Sequence, residues 1–575
     1  MKKLTVFLKG YRCKSVLGPL FKLFEASLEL IVPLVIAALI DNGIHAVGGA
    51  DKPYIVKCCI MLAVLGAVGL IFSVTAQYFA AAASCGFTSG LRSALFTHIQ
   101  SLSYSELDKI GTSTLITRMT SDTNQVQTGL NLTLRLLLRS PFVVFGAMIM
   151  AFTVDAPSAV NFVVVIPLLS IVVFGIMLIS MPLYKKTQAR LDSLVSKTRD
   201  GIEGARVIRA FAKENDEIRD FEERNDALTD MQKFVGKISA LMNPLTFVLI
   251  NAAVIALIYT GALRVDNGDL TQGQVVALYN YMSQILVELV KLANLIISIT
   301  KALASANRIS SVLDTECSMT YGKEELVSVG SGIEFSGVSL AYGGAQDSSL
   351  EDISFHAERG QTIGIIGATG SGKSSLINLI ARFYDATQGS VTIDGKPISA
   401  YTKESLGKRI GVVPQRALLF SGTIGENLRW AKPDATDEEI YEAARVAQCE
   451  SVILDKGGLD AEIEQGGRNL SGGQRQRLTI ARALVGKPEV LILDDSASAL
   501  DYATDAALRT AIANETKGTT VFIVSQRASS VMNADQILVL DDGRIVNKGT
   551  HSELLQSSDI YREIYETQFT KEAAV

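Results

Sequence analysis

Six cysteines in 575 residues, none in a CxxC pair and none beside a histidine-rich cluster, leave little for a disulfide framework or metal centre. Cys13, Cys58, Cys59, Cys85, Cys317 and Cys449 read instead as small apolar fillers in a reducing compartment. The net charge of −5 lacks the basic excess of a nucleic-acid binder, so no nucleic-acid partner is expected. No small-residue cleavage site follows the basic N-terminus. A membrane-length apolar run follows instead, which reads as a retained first span and not a removed signal. The hydrophobic share of 48% averages two unlike halves. Apolar runs fill the chain up to about Leu313, and short strand-like runs with glycine turns fill the rest.

Six runs meet the length of about 20 mainly apolar residues that a bilayer demands: 15–40, 55–83, 130–154, 160–183, 238–263 and 275–299. The loops at 41–54, 155–159 and 264–273 are short, whereas 84–129 and 184–237 are long, polar and helical in pattern. The long loops are expected to be helices that continue beyond the bilayer and turn back. Lys2, Lys3, Lys9, Arg12 and Lys14 precede the first run, and seven basic residues from Lys185 to Arg209 follow the fourth. The short loops carry only Lys52 and Arg264. That bias places both termini and both long loops in the cytoplasm. Polar residues inside the runs include Glu25, Glu29, Arg135, Arg139, Asn251, Gln284, Glu288, Lys291 and Asn294. Charges at that depth face the bundle interior or water. Glu288, Gln284 and Asn251 are therefore candidates for a substrate path, with helix–helix glue or interfacial placement as the alternatives.

In the second half, Gly367-Ala368-Thr369-Gly370-Ser371-Gly372-Lys373-Ser374, continued by Ser375, follows a strand-like run at 362–366 and opens a helical pattern. This is the setting of a P-loop. Glycines let backbone N–H groups curl around phosphates where side chains would clash, and the helix N-terminus adds positive potential. Lys373 would neutralise phosphate oxygens of ATP, and the Ser374 hydroxyl can ligate Mg²⁺. A second buried strand at 490–493 ends in Asp494, which can hold the metal's water shell.

Leu470-Ser471-Gly472-Gly473-Gln474 stands between those two motifs. With Arg475 to Arg477 it resembles the signature of ATP-binding cassette (ABC) proteins. Tyr342 resembles that family's adenine-stacking residue, Gln415 in Val412-Val413-Pro414-Gln415 its Q-loop residue at Mg²⁺, and Ser498-Ala499-Leu500-Asp501 its D-loop. The segments 105–109 with Ser121-Asp122, and 203–211, resemble the two cytoplasmic loops of ABC exporters, which place coupling loops near 105–122 and 201–215. The resemblance covers residues from about 25 to 565.

It implies a membrane all-α six-helix transmembrane domain with long cytoplasmic extensions (1–313), a linker (314–332) and an α/β P-loop ABC nucleotide-binding domain (333–575). It also implies a half-transporter of a bacterial cytoplasmic membrane, working on a small-molecule substrate amid membrane lipid. In the family two cassettes meet head to tail, so Leu470 to Gln474 and Asp501 would complete a partner's ATP site. Two positions depart from the family pattern. Asp495 stands where a catalytic glutamate is usual, and Gln526 where a switch histidine follows the strand at 520–525. Aspartate sets its carboxylate on the order of 1 Å back, and a misplacement of about 1 Å can lose about 10²-fold in rate. Glutamine has no titratable ring. The chain is therefore expected to bind ATP, hydrolyse it poorly, and pair with an unlike half-transporter. A slow homodimer and a non-transporting ATP-switched membrane regulator are the alternatives.

Overall fold

An apolar run in hydrocarbon satisfies its own backbone as a helix, and the chain adopts that solution six times. The structure, a computed structural model, describes residues 4–45, 49–343 and 348–572; Lys2 and Lys3 lie outside them. The chain divides into two compact units: Met1–Gln100 with Ser113–Thr315, and Ser101–Thr112 with Glu316–Val575.

The stretches Leu4–Ile44, Lys52–Ser101, Thr112–Val154, Ala156–Glu203, Glu214–Asp266 and Gln272–Leu313 are long and apolar enough to cross a membrane. In chain order the helices are α1 (Arg12–Ala38), α2 (Lys52–Ser101), α3 (Tyr104–Ile110), α4 (Thr112–Thr117), α5 (Thr123–Leu136), α6 (Arg139–Val154), α7 (Ala156–Glu203), α8 (Ala205–Ala210), α9 (Glu214–Ala240), α10 (Met242–Asp266) and α11 (Gln272–Leu313). The 50 residues of α2 are ~75 Å long at 1.5 Å per residue, more than twice the about 30 Å of a hydrocarbon core. The long polar loops are thus largely helix. Local chemistry sets the ends: Asp155 accepts from the Ser158 N–H at 2.9 Å to cap α7, and Thr271 with Gln274 forms a capping box on α11.

The third span is not one helix over 130–154. It is broken between α5 and α6 at Leu137 and Leu138. Pro141 explains the break, because its ring meets the carbonyl four residues back and it offers no N–H to continue the ladder.

The core of this unit uses small residues for close helix approach, with Ala26, Ala147 and Ala151 fully buried in one cluster with Phe162, Leu257 and Tyr281, and Ala80 and Ala83 also fully buried on α2. A charged junction joins three helices just past the break. Arg139 on α6 donates to Glu288 on α11 and to Glu29 on α1, both at 2.6 Å. Ser140 and Lys291 donate to Glu288 at 2.9 and 2.8 Å. Glu288 is 3% exposed in this arrangement. Asn251 donates to the Phe247 carbonyl on its own helix at 2.8 Å, and the buried Gln284 Oε1 has no hydrogen-bond partner.

The second unit holds the strands β1 (Ile333–Leu340), β2 (Leu350–Ala357), β3 (Thr362–Gly367), β4 (Gln388–Ile393), β5 (Lys396–Pro397), β6 (Ile410–Val413), β7 (Gly422–Thr423), β8 (Glu462–Ile463), β9 (Val490–Asp494), β10 (Thr520–Ser525), β11 (Gln536–Asp541) and β12 (Arg544–Gly549). One sheet runs β12-β11-β3-β10-β9-β6 and another β2-β1-β4-β5. In the first sheet all pairings but β11–β12 are parallel. Its central strands are continuous apolar runs, as strands covered on both faces must be.

Removing one partner of a buried ion pair strands the other charge, at about 3–5 kcal/mol. Glu288→Ala is therefore expected to lower the apparent unfolding temperature of the detergent-solubilised protein sharply. Combined with Arg139→Leu the loss should be smaller than the sum of the two single losses, because the stranded cation is gone.

Candidate nucleotide-binding site

Parallel strands bring their C-terminal ends to one sheet edge, where loops can build a site. Pairing sets Ser525 of β10 opposite Ile366 of β3, Val524 opposite Asp494 of β9, and Leu540 of β11 opposite Gly367. Residues far apart in the chain, such as Gly367 and Leu540, therefore finish at the same level. The turn out of β3 leads into α12 (Lys373–Ile380). Gly372 caps that helix with φ +94°, and a Cβ on Gly367 would lie 2.1 Å from the Leu540 carbonyl oxygen. Neither position tolerates a side chain without rearrangement.

A cavity of about 290 Å³ opens at this edge. The structure brings Thr369, Gly370, Gly372, Lys373, Ser374 and Ser375 to it, together with Gln415, Asp494, Asp495 and Gln526. Gly367, Ala368 and Ser371 are not among the lining residues. Lys373 Nζ donates to the carbonyls of Gly367 and Ala368 at 2.9 and 2.6 Å, and Ser371 is buried. Ser374 Oγ donates to Asp494 Oδ1 at 3.3 Å. Hydroxyl, carboxylate and the Gln415 amide form an oxygen donor set suited to a hard divalent cation, so the residues fit Mg²⁺.

Burial pulls the Lys373 ammonium below the ordinary lysine range, against the pull of Asp495 and Asp494. Burial also raises the carboxyls of Asp494 and Asp495 above the usual carboxylate range. Asp495 adopts φ +44°, a left-handed conformation that the short polar aspartate tolerates better than most residues. Its N–H donates to the Val524 carbonyl at 3.0 Å, and its carboxylate accepts from the Gln415 side chain.

Tyr342 stands one step from the cavity. Its hydroxyl donates to Ser375 Oγ at 3.0 Å, and its ring meets that of Tyr384 edge-on, centroids 4.9 Å apart. Tyr384 in turn donates to Asp108 of α3, the short helix from the first loop, which packs with the cassette. Tyr104 of the same helix stacks on Phe383 at 4.7 Å. An unbroken set of side chains therefore joins α3 to the phosphate loop.

The signature residues do not reach this cavity. Leu470 is buried, while Ser471 caps the helix Gly472–Val485 in a box with Gln474. A Cβ on Gly473 would stand 3.2 Å from the Ala499 carbonyl oxygen, so the signature turn and the segment Ser498–Asp501 form one exposed corner. Asp501 caps the helix Tyr502–Glu515 by accepting from the Thr504 N–H at 2.9 Å.

Asp542, Gly543, Arg527 and Tyr384 escaped the sequence reading. Asp542 and Gly543 line the cavity from the β11–β12 turn; their Asp-Gly pair signals a hairpin, but nothing local says that the hairpin abuts the phosphate loop. Arg527 lies over the Tyr502 ring at 5.0 Å and faces Asp495 electrostatically. Tyr384 carries no motif of its own that would have marked it.

A cassette of this kind, on one polypeptide with six membrane-length helices, defines a membrane transporter driven by nucleotide. The chain belongs to the ABC transporter family. The family described as ABC transporter transmembrane region matches residues 15–289, and the family described as ABC transporter matches residues 350–498. One region of each kind makes a half-transporter. The chain is 37% identical over 575 residues to the uncharacterized ABC transporter ATP-binding protein YfiB of Bacillus subtilis, covering 100% of both chains. It is 36% identical over 492 residues to the probable multidrug resistance ABC transporter ATP-binding/permease protein YheI of the same organism, covering 84% of this chain and 83% of that one. A solved bacterial Atm1-family ABC exporter with ATP bound shares its fold, with a TM-score of 0.80 over 97% of this chain and 98% of the other at 23% identity.

Because Asp494 and Asp495 titrate above their ordinary range, each keeps its proton in the folded cassette at pH values where it loses it in the unfolded chain. Their own contribution to stability falls as pH rises through that window. Asp494→Asn is therefore expected to raise the unfolding temperature of the unliganded protein at neutral pH and to gain less than the parent from Mg-ATP. Thermal unfolding with and without Mg-ATP measures both.

Proposed function

We propose that the chain is one subunit of an ATP-driven exporter of small amphiphilic molecules, and that its own ATP site binds nucleotide but hydrolyses it slowly. The observation that carries this reading is the placement of Asp495 and Gln526 in the same cavity as Lys373, Ser374 and Asp494. The two departures from the family pattern fall on one site and leave the phosphate-holding residues in place. Asp495 has a carboxylate one methylene shorter than glutamate's and held by the Gln415 side chain, so it reaches less far toward an attacking water. Gln526 can hydrogen-bond a γ-phosphate but cannot carry a proton.

In this reading Tyr342 stacks on adenine, Lys373 and the loop N–H groups hold the phosphates, and Ser374, Asp494 and Gln415 hold Mg²⁺. A Mg²⁺ ion held by these residues would neutralise phosphate charge. The exposed corner of Ser471, Gly472, Gly473 and Asp501 closes over the partner's nucleotide, where hydrolysis is faster. An unlike partner fits best, because a competent partner site then drives the cycle. The segment 1–313 carries the membrane domain, except that 101–112 packs with the cassette; 314–332 is the linker and 333–575 the cassette, with both termini cytoplasmic in a bacterial plasma membrane.

Two apolar surfaces support pairing. Ile202, Val207 and Phe211 around α8 are strongly exposed, and so are Leu418, Phe420 and Trp430 on the cassette, the last two stacked at 4.6 Å. In a pair, α8 of one subunit covers such a patch on the other. Closure of the cassettes then moves the spans, biased by tighter ATP binding to the closed state. Gln284, with its unpartnered carbonyl, and Asn251 are placed on the substrate path; Glu288 enters it only if the Arg139 junction opens. The name of the B. subtilis multidrug relative supports amphiphilic drugs as the first substrates to test.

The purified chain alone should show slow steady-state ATPase, and co-expression with its partner should restore turnover. Asp495→Glu with Gln526→His should raise hydrolysis by the chain alone by at least tenfold. Brisk turnover by the unmodified chain as a homodimer would sink the degenerate-site reading. Tyr384→Phe deletes the bond to Asp108 while keeping the ring. It is expected to reduce drug-stimulated ATPase of the pair several-fold with little change in ATP affinity.

A further inference from the structure

The helix Asp559–Glu572 approaches the phosphate edge of the cassette from a firmly held base. Tyr561 is fully buried, with its hydroxyl 2.8 Å from His551 Nδ1. Nearby, Ser558 Oγ donates to Asn547 at 2.9 Å. Seven residues beyond Tyr561, two turns along the same helix face, stands Gln568. Its Nε2 donates to the Gln526 carbonyl at 2.8 Å, and its Oε1 accepts from the Ala528 N–H, also at 2.8 Å. The two arms of a single amide thus bracket Arg527. The Arg527 N–H is itself fixed by donation to Ser525 Oγ at 3.0 Å.

Every backbone group this clamp touches belongs to the segment after β10 that carries Gln526 into the nucleotide cavity and Arg527 over Tyr502 toward Asp495. The Gln526 side chain is itself exposed. Its direction is therefore set by its backbone, and the backbone is set from outside the site. We infer that Gln568 is a positioning residue for the γ-phosphate contact: the C-terminal helix fixes the switch segment so that Gln526 meets the terminal phosphate of ATP. ADP lacks that phosphate and is indifferent to the clamp. The inference rests on the nucleotide reading above.

The test uses the full chain in detergent or lipid nanodiscs and measures equilibrium affinity for Mg-ATP and Mg-ADP. Gln568→Met keeps side-chain length and helix propensity but removes both hydrogen bonds. It is expected to lower the ratio of ATP to ADP affinity on the order of tenfold, about what one or two positioning hydrogen bonds are worth, with ADP affinity unchanged. In a Gln526→Ala background the same substitution should leave the ratio where Gln526→Ala alone puts it, because Gln568 acts through that residue. An unchanged ratio in the single variant, an equal loss of both nucleotides, or a further fall in the Gln526→Ala background overturns the positioning role. A parent protein that binds neither nucleotide overturns the nucleotide reading together with it. A parent that binds both, with an unaltered ratio in the variant, overturns the clamp alone.

Discussion

The parallel pairing of β3 with its two neighbours, β10 and β11, is the constraint on which the nucleotide site depends. A parallel register sets the C-terminal ends of neighbouring strands level. One turn of chain past each end then puts the phosphate loop, the strand-end carboxylates, the switch residue and the hairpin turn around one cavity. These strands are buried on both faces: Ile363, Ile365, Ile492, Phe522, Val524, Leu538 and Leu540 on one side, and Ile366, Leu491, Leu493, Val521, Ile537 and Val539 on the other. The close approach at Gly367 follows from the same pairing, since Leu540 of β11 lies directly opposite it.

The membrane unit solves a different problem with the same economy. Its helices approach closely where alanines meet, and Arg139 and Glu288 survive burial because they pair across helices. Arg139 links α1, α6 and α11 through Glu29 and Glu288. It stands at the first residue after the break that Pro141 imposes. A helix end and a three-way ionic junction therefore coincide.

What could be read in advance followed from how local the signal was. Six apolar runs, the strands at 362–366, 490–493 and 520–525, and the phosphate loop are written in consecutive residues; the structure has the strands and the loop where the pattern puts them and helix over each apolar run, the third interrupted at Leu137 and Leu138 and the fifth at Leu241. Strand order is not local, so Asp542 and Gly543 could be recognised as a turn but not as part of the cavity. The break at Leu137 was masked by strong hydrophobicity on both sides, although Pro141 held the physical signal. Gln568 was invisible for a plainer reason: a lone glutamine on a polar helix has no pattern, and its significance comes only from which backbone it touches.

The allocation of Ser101–Thr112 to the cassette unit has a topological consequence. The polypeptide passes between the two units three times, entering and leaving around α3 and passing once more near Thr315. The cassette is stitched in at two separate places in the sequence and is not a simple C-terminal appendage. A protease cut within 314–332 would leave the α3 stitch uncut. A chimera that exchanged only the residues after the linker would graft a foreign cassette onto a native α3, and the Tyr384–Asp108 and Phe383–Tyr104 contacts would have to be matched anew. Modularity in this chain is therefore discontinuous: the portable piece is residues 101–112 together with everything after 315.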